Sequence, residues 1–246
     1  MIWDENQPKF DDPMFRSVPI ITAWNSQKDK INDLGAEWFA QDTSQDLVVF
    51  FSLSPNLPCK VKLPSFKALN AAEKTALWNA HPCTSEHMAG KLSLCLGMPV
   101  MIRNNDATEL CITKGQEATV VGWQANTGPD GQSILDILFV KLIDPPKSVL
   151  IPGLDKNVVA LSKASKKIWY SFPNDMIVSI MRDQVLVLPN FAMTDYTSQD
   201  LHNCQTHFSY YTCLSHSSTA EGTVIVQGVE SKFDHQRYLR VLAARI

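Results

Sequence analysis

Several signatures that settle a function quickly are missing from these 246 residues. No GxxxxGK[ST] loop occurs anywhere, so no segment carries the usual backbone cradle for a triphosphate. GxGxxG, GxSxG and HExxH are absent as well, which removes the dinucleotide fingerprint, the nucleophile elbow and the zinc-protease helix. The six cysteines, Cys59, Cys83, Cys95, Cys111, Cys204 and Cys213, form no CxxC pair. No apolar run approaches the roughly 20 residues that cross a bilayer. The opening MIWDENQPKFDDP is acidic and polar, the opposite of a secretory leader. The expectation is an intracellular protein, nuclear or cytoplasmic and not secreted, with reduced thiols and no membrane partner. Positive charge is not in excess either: net charge is -3. No overall basic field advertises nucleic acid, so any such surface must be a local patch.

What is present is an ordinary globular balance of 45% hydrophobic and 19% charged residues, enough for a substantial core. Prolines outnumber glycines by 14 to 10, which predicts many turns and extended segments and few long helices. Residues 1–17 read as a poorly ordered lead. VPIITA then predicts a strand, and a helix follows with Asn25 or Ser26 as its N-cap and Ile31, Leu34 and Trp38 at helical spacing. DLVVFFSL is a short buried strand. The Pro-rich stretch 54–93 offers one modest helix near Ala71 to Trp78.

From Lys91 the texture changes to short apolar runs broken by turn residues. KLSLCLGMPVMIRNND, GQEATVVGW, ILDILFVKL, KSVLIPG, WYSFPN and IVSIMRDQVLVLP follow without helices between them, and NTGPDGQ is the loop joining two of these strands. The pattern predicts a small antiparallel barrel. After Pro189 the α/β texture returns, with a helix near 206–215 and a strand in GTVIVQG.

The candidate chemistry is thin. His81-x-Cys83-x-x-x-His87 and His202-x-Cys204-x-x-His207 are metal-like, but no knuckle pairs their thiols, so the expectation is loop histidines beside buried cysteines and no metal. Arg103, Asn104 and Asn105 follow a strand and either hold a phosphate backbone or close a turn. Lys163, Lys166, Lys167, Trp169 and Tyr170 form a basic-aromatic cluster, which suits single-stranded nucleic acid or equally an edge strand guarded by lysines. Two stretches, NFAMTDYTSQD and THFSYYTCLSHSS, begin apolar and turn into hydroxyls and amides, as helix caps do and as ligand-facing segments do.

In the order ITAWNSQKDKIND, LSLCLGMPVMIRNNDATELCITKGQEATVVGW, FAMTDYTSQ and YYTCLSHSS, the chain resembles the C-terminal half of PIF-type (petite integration frequency) DNA helicases. These are RecD-like members of helicase superfamily one, and the texture is nearest to those of fungal Helitron transposons. The resemblance runs from about Ile20 to Gln227. It implies an α/β fold: a second RecA-like motor domain of the P-loop NTPase type, lacking the P-loop, over 18–90 and 186–246. A small antiparallel β-barrel insertion over 91–185 would interrupt it, with Leu94, Gly97, Val100, Met101 and Asn105 meeting the pattern at its start.

The resemblance also implies roles. TAWNSQKDKIN is similar to motif IV, with Asn25 at its turn. FAMTDYTSQ is similar to motif V, linking a single-strand path to the nucleotide cleft through Thr194, Ser198 and Gln199. YYTCLSHSS is similar to motif VI, bringing Tyr211, Ser215 and His216 to that cleft. The family uses ATP and Mg2+ to unwind DNA. Two departures stand out. Relatives carry arginine at the position of His216, where a charged fork reaches phosphate, and glycine where this chain has Asp200. Nothing here corresponds to the first motor domain with its phosphate loop and magnesium-holding acids. The expectation is therefore a helicase fragment, inactive alone and without its own cofactor, that binds single-stranded DNA weakly. Its alternatives are a stand-alone single-strand-binding module and a motor half completed by a separate ATP-binding chain.

Overall fold

A computed structural model of the chain describes residues 19–22, 25–53, 71–80, 88–172, 177–194, 223–225 and 241–244. In chain order the elements are β1 (Ile20–Thr22), α1 (Asn25–Asp42), β2 (Val48–Phe51), α2 (Ala71–Trp78), β3 (Lys91–Leu94) and β4 (Pro99–Ile102). After a 3-10 turn at Thr108–Leu110 come β5 (Glu117–Thr127), β6 (Ser133–Leu142), β7 (Val158–Ser171), β8 (Ile177–Val185), β9 (Val187–Pro189), β10 (Ala192–Thr194), β11 (Thr223–Ile225) and β12 (Val241–Ala244). The chain divides into two compact units, Met1–Gly35 with Pro189–Ile246, and Ala36–Leu188.

In the first unit the two ends of the chain share one sheet, ordered β10-β1-β12-β11. β1 and β10 run parallel with Ile20 opposite Ala192 and Thr22 opposite Thr194, while β12 is antiparallel to both β1 and β11. The helix expected after VPIITA is there as α1, but its face differs from the expected one. Leu34 and Trp38 are 50% and 47% exposed, and the buried positions are Lys28, Asn32, Ala36 and Ala40, a single i, i+4 row. Small residues allow close approach. A Cβ on Gly35 would lie 2.5 Å from Cγ of Phe191. Two rows of this helix satisfy the 3.6-residue period, and the spacing of apolar residues picked out the wrong one.

Gly35 therefore gives a test in which two effects oppose each other. Alanine favours a helix interior over glycine by about 1 kcal/mol, but overpacking against a ring typically costs about 1–3 kcal/mol. Here the ring is met at its Cβ and Cγ, near the backbone, and not at a movable tip. Gly35→Ala is expected to lower stability by about 1–2 kcal/mol in urea unfolding; a gain would show that Phe191 shifts freely. The helix ends without glycine: Ser44 takes the left-handed conformation (φ 53), Gln45 N–H reaches Ala40 O at 2.9 Å and Ser44 N–H reaches Gln41 O at 3.2 Å.

In the second unit β2 pairs antiparallel with β3, and β4 through β8 pair antiparallel in succession. The larger sheet has six strands in the order β8-β7-β6-β5-β4-β9. Alternate residues fill its core: Val100 and Ile102, Ala118 and Val120, Leu138 and Val140, and Val159 are all buried. The loop expected at 126–132 closes with Gly128 N–H on Gln132 O at 2.7 Å and Gly131 at φ +80.

Two expectations fail here. KSVLIPG forms no strand: Asn157 ties down Val149, accepting from its N–H at 3.0 Å and donating to its carbonyl at 2.8 Å, and Leu150 is 74% exposed. Nor does the expected barrel close among the described residues, because β8 and β9 stand at opposite ends of an open sheet. At one end β4 and β9 have four and three residues, too short to carry a ladder round. At the other, β8 meets only an isolated bridge between Asp183 and Leu53.

β7 is long because it serves two partners. Residues 158–162 pair with β6 and residues 163–171 pair with β8, so β7 and β8 run on as a two-stranded ribbon. A bare ribbon is marginal in water, and this one is anchored through one face. Ile168 and Arg182 on that face are 0% exposed. Arg182 donates to the carbonyls of Leu77 (2.7 Å) and Met88 (3.0 Å). Leu77 lies in the last turn of α2, the negative end of the helix, which suits a cation. Burial pushes the guanidinium down to about 10, with Tyr170 acting the other way, so it remains charged at neutral pH.

Candidate functional site

In the first unit, β1 and β10 end side by side at Thr22 and Thr194, and α1 opens at Asn25 just beyond β1. The carboxyl ends of adjacent parallel strands are where open α/β sheets hold ligands. Two of the sequence candidates, Asn25 and Thr194, thus come to the same end of one strand pair. Thr22 is buried there and donates from Oγ1 to Gln27 Oε1 at 2.5 Å. Lys28 is buried as well, with its ammonium 2.9 Å from Asp29 and 3.3 Å from Asn25 Oδ1.

One residue that the sequence reading passed over fixes this arrangement. Asn32, 2% exposed, accepts at Oδ1 from Phe191 N–H (3.0 Å) and Ala192 N–H (2.7 Å) and donates from Nδ2 to Ala192 O (3.0 Å). On the other flank of the turn, Ile20 N–H donates to Phe191 O at 2.8 Å. Helix α1 and strand β1 therefore grip residues 191–192 from both sides, and Thr194 follows two residues on. The available signal was the i, i+4 row of Lys28, Asn32, Ala36 and Ala40, a stripe of polar and small residues that an apolar search ignores.

In the second unit Arg103, Asn104 and Asn105 follow β4. Asn104 Nδ2 donates to Asp106 Oδ1 at 2.9 Å, and Asn105 Oδ1 accepts from Lys114 N–H at 2.8 Å. Both amides thus hold their own loop, and Arg103 N–H donates to Leu186 O at 3.1 Å. The lysines of β7 separate by strand alternation: Lys163 and Lys167 share a face with Trp169, and Lys166 lies on the other with Tyr170. Lys163 is paired with Asp136 at 2.5 Å, while the Lys167 ammonium lies 4.8 Å from the centre of the Trp169 ring.

Ser198, Gln199, Tyr211, Ser215 and His216, and both His-Cys-His stretches, lie outside the described residues. Cys95 and Cys111 are buried free thiols, and burial pushes Cys95 up, away from the thiolate a nucleophile needs. Among the described residues no helix is long and apolar enough to cross a membrane.

No family model and no curated protein matches the chain. Solved structures that resemble it are Pif1 helicases. The Candida albicans enzyme is 14% identical with a TM-score of 0.42, over 73% of this chain and 36% of that one. Unliganded Pif1 from Bacteroides sp. is 16% identical with a TM-score of 0.44, over 85% of this chain and 51% of that one. The Bacteroides enzyme in complex with ADP-AlF3 and single-stranded DNA is 14% identical with a TM-score of 0.39, over 73% and 31%. The chain spans about a third to a half of the length of these structures.

Proposed function

We propose that these residues form the second motor domain and inserted β module of a PIF-type DNA helicase, and that alone they bind single-stranded DNA weakly without hydrolysing ATP. The observation that carries this reading is the order of four motif-like stretches along one chain, of which two, at Asn25 and Thr194, stand at the same end of a parallel strand pair. In such enzymes that end faces a nucleotide cleft completed by the first motor domain. ATP and Mg2+ belong to the parent family. Phosphoryl transfer needs a phosphate cradle, a metal and an arginine together. The 246 residues contain no phosphate-binding loop, and histidine stands at the motif VI arginine position, so no cofactor is assigned to this chain alone.

The stand-alone DNA-binding reading gains from a specific feature, the exposed lysines and tryptophan on one face of β7. In either case affinity is limited. A net charge of -3 gives little general attraction, and phosphate contacts dominate single-strand binding. The expected result in fluorescence anisotropy is a micromolar or weaker dissociation constant that rises with salt, the association constant falling with a log–log slope of about -1.4 to -2.1 for two or three phosphate contacts. Replacing Arg103 and Lys166 by alanine should weaken binding further. Salt-insensitive binding, or none at low salt, contradicts a retained nucleic-acid surface.

A further inference from the structure

The open face of the β7–β8 ribbon carries Lys163, Ser165, Lys167, Trp169 and Ser171, every one exposed, at alternate positions about 7 Å apart. The opposite face does the anchoring through Ile168 and Arg182. Trp169 therefore does not hold the ribbon down, yet a large aromatic stands there 50% exposed. Two other tryptophans of this unit have clear duties, while Trp38 is 47% exposed on helix α1 and not on this ribbon. Trp78 donates to Ser52 O at 3.1 Å and meets Phe51 edge-on at 4.9 Å, and Trp123 meets Phe50 edge-on at 5.4 Å. What touches the Trp169 ring is the Lys167 ammonium.

The charges on this face are not equivalent. Lys163 is matched by Asp136, and Asp183 accepts from Ser165 Oγ at 2.6 Å. Lys167 has no carboxylate partner among the described residues; its neighbour is the ring. The face thus offers one flat aromatic surface, one unmatched cation directly beside it and two serine hydroxyls along an extended strand, Ser171 and the Asp183-bound Ser165. Each of these has a counterpart in an extended single strand: a base to stack, a phosphate next to that base, and further phosphate oxygens. A duplex has no free base face to offer. A protein partner would need a broad apolar patch, and among the described residues the large exposed apolar ones of this ribbon are Trp169 and Ile177.

We infer that Trp169 is the base-stacking platform of this chain for single-stranded DNA and that Lys167 contacts the adjacent phosphate. The inference rests on the single-strand reading above and assigns it to one face of one ribbon. It also ranks the lysines: Lys167 contributes more than Lys166, which lies on the other face.

The test is anisotropy of a labelled oligothymidylate with the full chain at low salt, each variant first checked by circular dichroism. Trp169→Ala should weaken binding roughly tenfold or more, the loss typical of one stacked base. Trp169→Phe, which keeps a ring, should stay within about threefold of wild type, and Trp169→Leu, equally apolar without a π face, should not. Lys167→Ala should weaken binding more than Lys166→Ala and flatten the salt dependence by about one phosphate contact. If the wild type binds and Trp169→Ala binds as well, the stacking assignment is wrong while the single-strand reading stands. The assignment is equally wrong if leucine restores binding as fully as phenylalanine, or if Lys166→Ala costs as much as Lys167→Ala. A wild type that binds no oligothymidylate removes both together.

Discussion

Asn32→Leu is expected to unfold at clearly lower urea than the wild type, with a loss of about 3 kcal/mol. Leucine has nearly the shape of asparagine, so little of this loss is a cavity. What disappears is a set of three hydrogen bonds to Phe191 and Ala192, in a place where Ala192 is fully buried. Each buried backbone group left without a partner costs about 1–3 kcal/mol, and the three costs overlap because the same turn can relax once for all of them. The carboxamide satisfies both the N–H and the C=O of Ala192, much as a neighbouring strand would, on an edge strand of the described sheet. Loss of this pairing should loosen the turn that leads into Thr194. A measured loss below about 1 kcal/mol would mean that water replaces the side chain and that the turn is not held by α1.

The sequence made the kinds of element legible and left their neighbours obscure. The helix after VPIITA, the helix Ala71–Trp78 and the strands from Lys91 onward follow from local period and turn residues, which act over a few positions. The face of α1 was misread because burial there is decided by what lies opposite: Gly35 and Asn32 meet the turn at Phe191, some 160 residues away in the chain. Strand content likewise predicted antiparallel pairing but not closure. Whether a sheet becomes a barrel depends on whether its last strand can reach its first, and β9 has only three residues. The basic-aromatic cluster was visible as composition. Its division into Lys163, Lys167 and Trp169 against Lys166 and Tyr170 required the register of β7 on β8. Arg182 gave no sign of its duty, since an arginine in a strand reads as solvent-facing until its carbonyl partners are known.

The largest effect belongs to His216, and it is expected only when the chain is completed. Alone, wild type and His216→Arg should both show no ATP turnover above background, with or without single-stranded DNA. An arginine stabilises a transition state only where nucleotide and metal are already held, and no segment of this sequence cradles the phosphates. Mixed with a separately produced first motor domain of a PIF-type helicase, His216→Arg should raise DNA-stimulated turnover about 10³-fold or more over wild type, the range over which such an arginine acts in related phosphoryl transfers. A neutral imidazole is shorter and uncharged, and it lacks the fork that meets phosphate oxygens two at a time. On the proposed reading Asp200 takes the place of a motif V glycine of PIF-type helicases, and its added negative charge should keep the restored rate below that of a complete enzyme. Turnover by the chain alone that vanishes on mutating Thr194 or Gln199 would reveal a nucleotide site the sequence does not announce. Equal turnover of the mixed proteins with His216 intact would show that the arginine is dispensable here, and the reading of this chain as a disabled motor half would be wrong.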